Sequence, residues 1–278
     1  MVFESTVSPG CTRNVCLPIL EKGSGLKAGK DFLLAYSPER INPGDQSHAL
    51  SKVAKVVSGL DDKSLKFVSR LYEKIVPSIH EAESLEVAEA SKLLENIQRD
   101  VNIALLNELQ VCFDEMGIPM DSVLKSASTK WNFNNYHPGL VGGHCVPVDP
   151  YYLIDEAKKF SANLPLIAQA RKTNEEAVAN FYRKILNKLK RPYASSYVLI
   201  NGLSFKPDVP DIRNTQVPSL KSMLEQNGVK VDIYDPNVKP EVAKNSFGIE
   251  LLKKLPTFDN YHLIVSPYDL SIKRGGRF

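Results

Sequence analysis

The sequence has no long apolar run and no block of charge of one sign. No stretch approaches the roughly 20 apolar residues that span a bilayer, and the opening MVFESTVSPG lacks the basic, then apolar pattern of a signal peptide. The 35 basic and 32 acidic side chains are mixed along the chain and leave a net charge of +3. We therefore expect a cytoplasmic protein that acts on small molecules and binds neither membranes nor nucleic acids.

Cysteine is also scarce, with four residues in the chain: Cys11, Cys16, Cys112 and Cys145. Their number and spacing fit neither the disulfide framework of a small secreted domain nor a zinc site. We therefore expect free thiols in a reducing compartment and no bound metal. Each cysteine is then either a small core residue or a reactive group.

A glycine-rich phosphate loop is lacking as well. Gly23, Gly25 and Ala28 have the GxGxxA spacing, but they follow a predicted helix and precede a predicted strand. A dinucleotide-binding turn has the reverse context, because its glycines lead from a strand into a helix. We therefore discount this spacing.

The chain does contain the alternating pattern of a globular α/β protein, with 43% hydrophobic and 24% charged residues. Strands are predicted in VFEST, in DFLLAYSPER and at residues 53–58, followed by a helix at residues 63–76. The strand in DFLLAYSPER is predicted to end at its Ser-Pro turn, so that residues 36–45 form a loop. Ligands of open α/β sheets bind at this carboxyl edge of the strands.

The longest helical pattern covers residues 84–116 and ends at Gly117. A helix of some 30 residues extends about 45 Å, so we expect it to bridge two domains or to pack in a dimer. Its apolar residues recur at helical spacing and predict a mostly buried helix: Leu94, Ile97, Val101, Leu105 and Leu109.

The second half of the chain begins with a loop at residues 131–148, which is crowded with glycine, proline and asparagine. Helices are predicted from residue 149 and at residues 165–190. A strand, helix and strand then run from SSYVLINGL to VKVDIYDP, with a last strand at residues 262–266. The C-terminal third is therefore predicted to be a second α/β domain.

The segment GGHCVPVDPYYL carries the densest group of chemically interesting residues. Gly142 and Gly143 allow a ligand to approach the backbone. Cys145 precedes a predicted helix, where the pKa of a thiol is lowered and its nucleophilicity becomes useful. Asp149, followed by Pro150, is either a functional carboxylate or simply the N-cap of that helix.

Two further groups each have two interpretations. Lys92 and Asn96, with Arg99 near the same stripe, share one face of the long helix, which is either solvated or buried around a ligand. In the second case they would supply two donors to a developing alkoxide. Glu39 follows a strand and is either a general base or a loop carboxylate paired with Arg40.

Five stretches, in order over nearly the whole chain, resemble one family: ESTVSPG, YSPERINPGD, KLLENIQRDVNIALLNE, KWNFNNYHPGLVGGHCVPVDPYYL and GLSFKPDVPDIRNT. The chain resembles the UDP-glucose/GDP-mannose dehydrogenases, especially those that oxidise UDP-N-acetylglucosamine or UDP-N-acetylgalactosamine. The resemblance implies an α/β fold with a partial Rossmann-like NAD-binding domain (residues 1–80), a central long-helix domain (residues 81–190) and a C-terminal Rossmann-like domain for the UDP-sugar (residues 191–278).

The resemblance also implies the reaction, which is oxidation of the sugar C6 alcohol to a carboxylate in two NAD-dependent steps. Cys145 matches the nucleophile that forms a thiohemiacetal and then a thioester. Lys92 and Asn96 match the pair that stabilises the substrate oxygen, and Asp149 matches the acidic partner of the lysine and of water. Glu39 matches the carboxylate associated with thioester hydrolysis.

Other matching residues are expected to bind the two ligands. Thr6 matches a threonine between the cofactor and the active-site water, and Arg213 matches an arginine that approaches NAD. The residues expected to bind the UDP-sugar are Lys206, Arg40, Tyr136 and Gly142. The long helix matches the family's dimerisation element, so a homodimer or higher homo-oligomer is implied.

Two departures from the family pattern lead to alternative interpretations. Family members begin with a strand, a glycine-rich turn and a helix that hold the NAD pyrophosphate, whereas this sequence starts near the later ESTV strand. The end, SIKRGGRF, is expected to lack the closing strand and helix of the C-terminal domain. The alternatives are an inactive binding or scaffold subunit and a hydrolase that uses Cys145 with His80, His137 or His262 as base.

Overall fold

The computed structural model describes residues 1–41, 50–189 and 192–276. Contacts divide the chain into two compact units. Unit 1 comprises Met1–Gln98 and Val148–Leu164, and unit 2 comprises Arg99–Pro147 and Pro165–Phe278. These two units are defined by contacts between residues and do not test the three domain ranges expected from the sequence. Those ranges therefore stay a prediction.

Unit 1 contains a four-stranded sheet in the order β1-β2-β3-β4. Its strands are β1 (Val2–Phe3), β2 (Ala35–Tyr36), β3 (Ala54–Gly59) and β4 (Ser78–Glu81). The β1–β2 and β3–β4 pairs are parallel, and the β2–β3 pair is antiparallel.

Alternating side chains of β2 and β3 supply two separate cores, because successive residues of a strand point to opposite faces. Ala35 and Val57 pack with the helix that follows β3, whereas Tyr36 and Val56 pack toward the long helix. The second face is the one that leads to the candidate site.

The helices of unit 1 are α1 (Leu17–Ser24), α2 (Asp62–Tyr72), the first part of α3 (Leu85–Glu115) and α5 (Asp149–Lys159). A π-helical turn, Thr12–Cys16, precedes α1. Gly25 ends α1 with φ of 72°, a left-handed conformation that suits glycine. It therefore serves as a helix stop, in keeping with the discounted GxGxxA spacing.

Unit 2 contains a second sheet in the order β6-β5-β7-β8. Its elements are the rest of α3, α4 (Met120–Ala127), α6 (Pro165–Leu189), β5 (Tyr197–Asn201), α7 (Val217–Gln226), β6 (Lys230–Tyr234), α8 (Pro240–Phe247), β7 (Leu263–Val265) and β8 (Ile272–Arg274). Parallel β6, β5 and β7 form the strand–helix–strand unit that the sequence predicts. Their apolar side chains pack with α6 and α7 in one large core.

Two expectations are corrected by the structure. The chain was expected to lack a strand after β7, but β8 pairs with β7 in antiparallel register, Val265 opposite Ile272. The long helix was expected to bury Leu94 and Leu105, but these side chains are 66% and 54% exposed. Ile97 is buried, so α3 packs by a narrower stripe than its composition indicates.

Candidate functional site

A buried polar cluster in unit 1 contains Lys92, Asn96 and Asp149. Lys92 and Asn96 lie one turn apart on α3 and are each 9% exposed, and Asp149 at the start of α5 is 2% exposed. Asn96 Nδ2 donates a hydrogen bond of 2.5 Å to Asp149 Oδ2. The solvated-face interpretation is therefore wrong for Lys92 and Asn96, whereas Arg99 is exposed.

The capping interpretation of Asp149 is also wrong. Helix α5 begins at Asp149 itself, and the N-cap position is Val148, without a side-chain cap hydrogen bond. The carboxylate binds Asn96 instead. Burying an ammonium and a carboxylate costs free energy that an apolar pair would not cost, so this cluster is better explained by chemistry than by stability.

Tyr36 lies beneath the same region and is fully buried. Burial raises the pKa of Tyr36, and the nearby charges of Glu89 and Asp149 raise it further. The hydroxyl group of Tyr36 therefore stays neutral at physiological pH.

Glu89, one turn before Lys92, is a buried residue that the sequence reasoning missed. Its carboxylate oxygens accept hydrogen bonds from the backbone N–H groups of Gly10 and Thr12, at 2.6 and 2.9 Å. Burial raises the pKa of Glu89, and these hydrogen bonds partly offset that effect. The carboxylate thus occupies the turn that leads from β1 into a helix, where such folds otherwise hold a phosphate.

The remaining predicted residues of unit 1 are more accessible. Thr6 is half-buried after β1, and Glu39 is exposed with Oε1 accepting a hydrogen bond from Ile41 N at 2.6 Å. Arg40 pairs with Glu95 at 2.7 Å, so the predicted pairing of Glu39 with Arg40 is replaced by a different ion pair. Residues 42–45 of the predicted loop lie outside the described residues.

Unit 2 contains a cleft of about 190 Å³. Three basic side chains line it beside apolar and aromatic groups, and its lining includes Arg99, His137, Val141, Gly142, Phe205, Lys206 and Tyr268. Aromatic faces next to basic groups suit a ligand that combines a ring with negative charge. The predicted binding residues Lys206 and Gly142 therefore lie in one cleft.

The loop glycines of this cleft are required by close packing. A Cβ atom on Gly142 would lie 2.8 Å from Phe205 Cβ, and Gly143 has φ of +88°. Any side chain at Gly142 would thus displace the aromatic wall. Tyr136, for which substrate binding stays a prediction, packs with the apolar cluster that contains Leu106 and Leu124.

Cys145 follows these glycines and is half-buried. Gly143 N donates to Arg213 O at 2.9 Å, and Asn214 Nδ2 donates to Gly143 O at 2.9 Å. The pKa of Arg213 is raised, chiefly by its hydrogen bonds to Asp211 and also by the charge of the Cys145 thiolate. A positive charge close to a cysteine favours the thiolate, which is the nucleophilic form.

The alternative bases for a Cys145 hydrolase find less support. His262 Nδ1 accepts a hydrogen bond from Tyr197 N at 3.1 Å, which ties this ring to the sheet. His137 is exposed in the cleft lining.

Asp235 stabilises the turn that carries Phe205 and Lys206 in the lining of the cleft. It follows β6 and accepts hydrogen bonds from Leu203 N and Ser204 N, at 2.8 and 2.9 Å. Tyr268 Oη also donates to it, at 3.3 Å. An acid at the end of a strand in such a domain often binds a ribose. Here the Asp235 carboxylate accepts these hydrogen bonds and thereby holds the turn before Phe205 and Lys206.

Three family domains match the chain in order. Residues 1–76 match the NAD binding domain, residues 86–176 the central domain and residues 199–269 the UDP binding domain of the UDP-glucose/GDP-mannose dehydrogenase family. Together with the α/β fold, these matches define a protein built from the domains of a single family. The protein belongs to the UDP-glucose/GDP-mannose dehydrogenase family.

Relatives support the same assignment. UDP-N-acetyl-D-glucosamine 6-dehydrogenase of Pseudomonas aeruginosa is 45% identical over 253 residues, which are 90% of this chain and 60% of the relative. Protein CapL of Staphylococcus aureus is 44% identical over 91% of this chain and 60% of its own length. The chain thus spans about 60% of the length of these two relatives.

Solved structures confirm the fold. The UDP-D-ManNAc dehydrogenase of Pyrococcus horikoshii superposes with a TM-score of 0.84 at 29% identity, over 96% of this chain and 62% of the other. An NDP-N-acetyl-D-galactosaminuronic acid dehydrogenase of Methanosarcina mazei superposes with a TM-score of 0.82 at 31% identity, over 96% and 59%. The predicted α/β class with Rossmann-like domains is therefore confirmed.

Proposed function

We propose that this chain carries the substrate-oxidising machinery of a nucleotide-sugar 6-dehydrogenase, which converts the C6 alcohol of a UDP-N-acetylhexosamine to a carboxylate. The observation that carries the proposal is the buried Lys92, Asn96 and Asp149 cluster with its 2.5 Å hydrogen bond. NAD, whose family binding domain matches residues 1–76, would supply the hydride acceptor for the two oxidations when bound.

In the first oxidation the sugar alcohol loses a proton and a hydride. An amide carries two N–H donors, and the bond to Asp149 fixes the plane of the Asn96 amide. We assign the second N–H of Asn96 and the Lys92 ammonium to the substrate oxygen, where negative charge develops. Asp149 receives the proton through water.

The second oxidation requires covalent catalysis by Cys145. Its sulfur bonds to the aldehyde carbon, and the aldehyde oxygen takes up a proton to give a thiohemiacetal. Loss of a second hydride from that carbon, together with the proton of the new hydroxyl group, yields a thioester. Water then breaks the carbon–sulfur bond, the thiol regains its proton and the carboxylate leaves. Arg213 supports the thiolate, and the exposed Glu39 is assigned to the hydrolysis step.

The cleft of unit 2 is assigned to the nucleotide-sugar. Lys206 and Arg99 supply positive charge for the pyrophosphate, and the backbone at Gly142 allows close approach of the sugar. For NAD the described residues fit less completely. Because Glu89 occupies the turn at Gly10 and Thr12, that turn does not supply a pyrophosphate site, and only Thr6 is assigned to the cofactor.

We also propose that the protein forms a homodimer through α3. Leu94 and Leu105 lie three turns apart on this helix and are 66% and 54% exposed. Large apolar side chains exposed at such spacing are typical of a helix that packs against a partner. Light scattering of wild-type protein and of Leu94→Glu tests this assignment.

The activity is tested by NADH absorbance after addition of NAD and either UDP-N-acetylglucosamine or UDP-N-acetylgalactosamine. We expect two NADH for each sugar oxidised, and no NADH from Cys145→Ser. Cys16→Ser, in a half-buried thiol of unit 1, is the matched control and keeps the wild-type rate. A folded protein that binds the UDP-sugar but makes no NADH supports the alternative of a binding subunit, for which the occupied turn at Glu89 is the structural reason.

A further inference from the structure

A second buried polar network lies in unit 2 and contains none of the side chains assigned to chemistry. It joins α3 and α6 through Asp100, Asn107, Arg171 and Asn174, all of which are at most 3% exposed. Polar groups buried this deeply are costly unless their hydrogen bonds are made. The network therefore has a structural or positional purpose that apolar packing would not serve.

The hydrogen bonds of the network have a fixed direction. The Asp100 carboxylate is a pure acceptor, and Arg171 donates to it. Asn174 Nδ2 donates to Asp100 Oδ1 at 2.7 Å and to Asp100 O at 2.9 Å. The amide of Asn174 is thereby oriented with its oxygen toward Asn107, and that oxygen accepts from Asn107 Nδ2 at 2.9 Å.

The amide of Asn107 is oriented in turn, and its other contacts are with the loop. Asn107 Nδ2 donates to Gly139 O at 3.0 Å, and Asn107 Oδ1 accepts from Gly139 N at 2.9 Å. The side chain thus binds both backbone groups of Gly139, as a neighbouring strand would. If the Asn107 amide were flipped, its oxygen would face Gly139 O and Asn174 Oδ1, and its NH₂ group would face Gly139 N. The hydrogen bonds therefore select one amide orientation and with it one position of the loop.

Gly139 begins the wall of the cleft. A Cβ atom at this residue would lie 2.6 Å from Tyr268 O, so the loop runs directly against the turn after β7. Downstream, Leu140 N donates to Pro267 O at 3.1 Å and Gln216 Nε2 donates to Val141 O at 2.9 Å. Residues 139–141, which lead to Cys145, are therefore held by hydrogen bonds in addition to the apolar packing of Leu140 and Val141.

We propose that Asn107 is a positioning residue, which holds residues 139–143 in the conformation that forms the cleft wall. The network of Asp100, Arg171 and Asn174 sets the orientation of its amide. The part of this proposal that concerns substrate affinity rests on the proposed function, because it takes the cleft as the UDP-sugar site. The part that concerns the loop stands on the hydrogen bonds alone.

The test compares two variants with a control matched for stability. Asn107→Leu removes the hydrogen bonds to Gly139 and Asn174 at similar volume. Asn107→Asp keeps the acceptor for Gly139 N but turns an oxygen toward Gly139 O and Asn174 Oδ1, and it serves where the leucine variant fails to fold. The control is Ile185→Val, a fully buried change on α6 in the main core of unit 2.

Hydrogen–deuterium exchange of the peptide that covers residues 137–146 is the main measurement. We expect the exchange rate of this peptide to rise about tenfold in both Asn107 variants. The reason is that the net free energy of about one hydrogen bond corresponds to a tenfold change in an equilibrium constant. Peptides from α7 should stay unchanged, and Ile185→Val should leave residues 137–146 protected. Equal protection of residues 137–146 in the Asn107 variants and in the control would overturn the proposal.

Titration calorimetry with UDP-N-acetylglucosamine gives the second measurement. We expect affinity about tenfold weaker in the Asn107 variants and unchanged in Ile185→Val. Wild-type affinity retained in a variant with a loosened loop contradicts the positioning of the cleft wall. If wild-type protein binds no UDP-sugar, the proposed function fails, and the exchange data still decide whether Asn107 holds the loop.

Discussion

The two units bury charge in different ways, although both draw it from the same helix, α3. In unit 1, Lys92, Asn96 and Asp149 gather with Glu89 near Tyr36, so this cluster contains both carboxylates and donors. In unit 2 the buried charges of Asp100 and Arg171 compensate each other and orient amides that hold a loop.

The exposed charges differ as well. The cleft of unit 2 presents basic side chains, Arg99 and Lys206, beside aromatic rings, whereas the polar cluster of unit 1 is buried. Buried, hydrogen-bonded donors and acceptors suit proton transfer and charge stabilisation, and accessible basic groups suit the binding of an anion. The comparison indicates that the first oxidation and substrate binding are separable by mutation, with the first oxidation sensitive to the buried cluster of unit 1 and affinity sensitive to the cleft of unit 2.

Asp149→Asn is expected to give the largest difference between its effect on the reaction rate and its effect on UDP-sugar affinity. This change removes the acceptor that fixes Asn96 and the carboxylate assigned to proton transfer, so the rate of NADH formation should fall by about 10²–10⁴-fold. UDP-sugar affinity, measured by calorimetry, should stay within a factor of about three of wild type.

Asp155→Asn is the matched control, because Asp155 lies on the same helix with a side chain 70% exposed. It should retain the wild-type rate. If Asp149→Asn lowers affinity as strongly as the rate, the proposed division between the two units is wrong.

Lys206→Ala is expected to have a smaller effect, and to lower UDP-sugar affinity rather than the reaction rate. Loss of one basic group from the cleft should weaken UDP-sugar binding about tenfold, since a hydrogen bond to a charged group contributes about 1.5–3 kcal/mol. The effect should shrink at high salt. Lys253→Ala, in an exposed residue of the same unit, is the control, and equal losses in both variants would show only a general charge effect.

The smallest effect concerns Asp61, an acid of unit 1 whose role is confined to folding. Its carboxylate caps α2 by accepting from Ser64 N at 2.7 Å, and this hydrogen bond lowers the pKa of Asp61. Asp61→Ala should reduce the free energy of unfolding by about 1 kcal/mol at neutral pH. Activity and UDP-sugar affinity should not change.

The pH dependence of this effect has a defined sign. A carboxyl with a lowered pKa in the folded state stabilises the protein above its ordinary value of 3.8, and the contribution is lost as pH falls through the lower folded pKa. The stability difference between wild type and Asp61→Ala should therefore vanish in acid. Denaturant unfolding followed by circular dichroism measures it, and a difference that persists in acid contradicts the cap.

Much of the candidate site was predictable because helix periodicity is local. The spacing of Lys92 and Asn96 placed both on one face of α3, and the GGHC segment placed Cys145 before a helix. Glu89 and Asn107 were missed, because a glutamate or an asparagine within an α3 pattern looks like a solvated position. Their partners, Gly10 and Gly139, are 79 and 32 residues away in sequence.

The helices and strands, like the site residues, were predictable only where the sequence pattern is strong. The sequence predicted α3, α6 and the strands β5 to β7, whose patterns are long or strongly apolar. It missed β4, α4, α8 and β8, which are short and gain their order from neighbouring elements. Leu94 and Leu105 have the helical spacing of core residues, yet they are exposed, since composition does not tell which side of a helix finds a partner.

The sequence by itself determined the family, the α/β class and the residue types available for catalysis, because these depend on order and spacing along the chain. Only the tertiary structure decided which polar groups are buried, which carboxylate binds Asn96 and which amide holds Gly139. The physical reason is that burial and hydrogen-bond direction arise between elements remote in sequence, and these two properties set whether a charge binds, reacts or orients its neighbour.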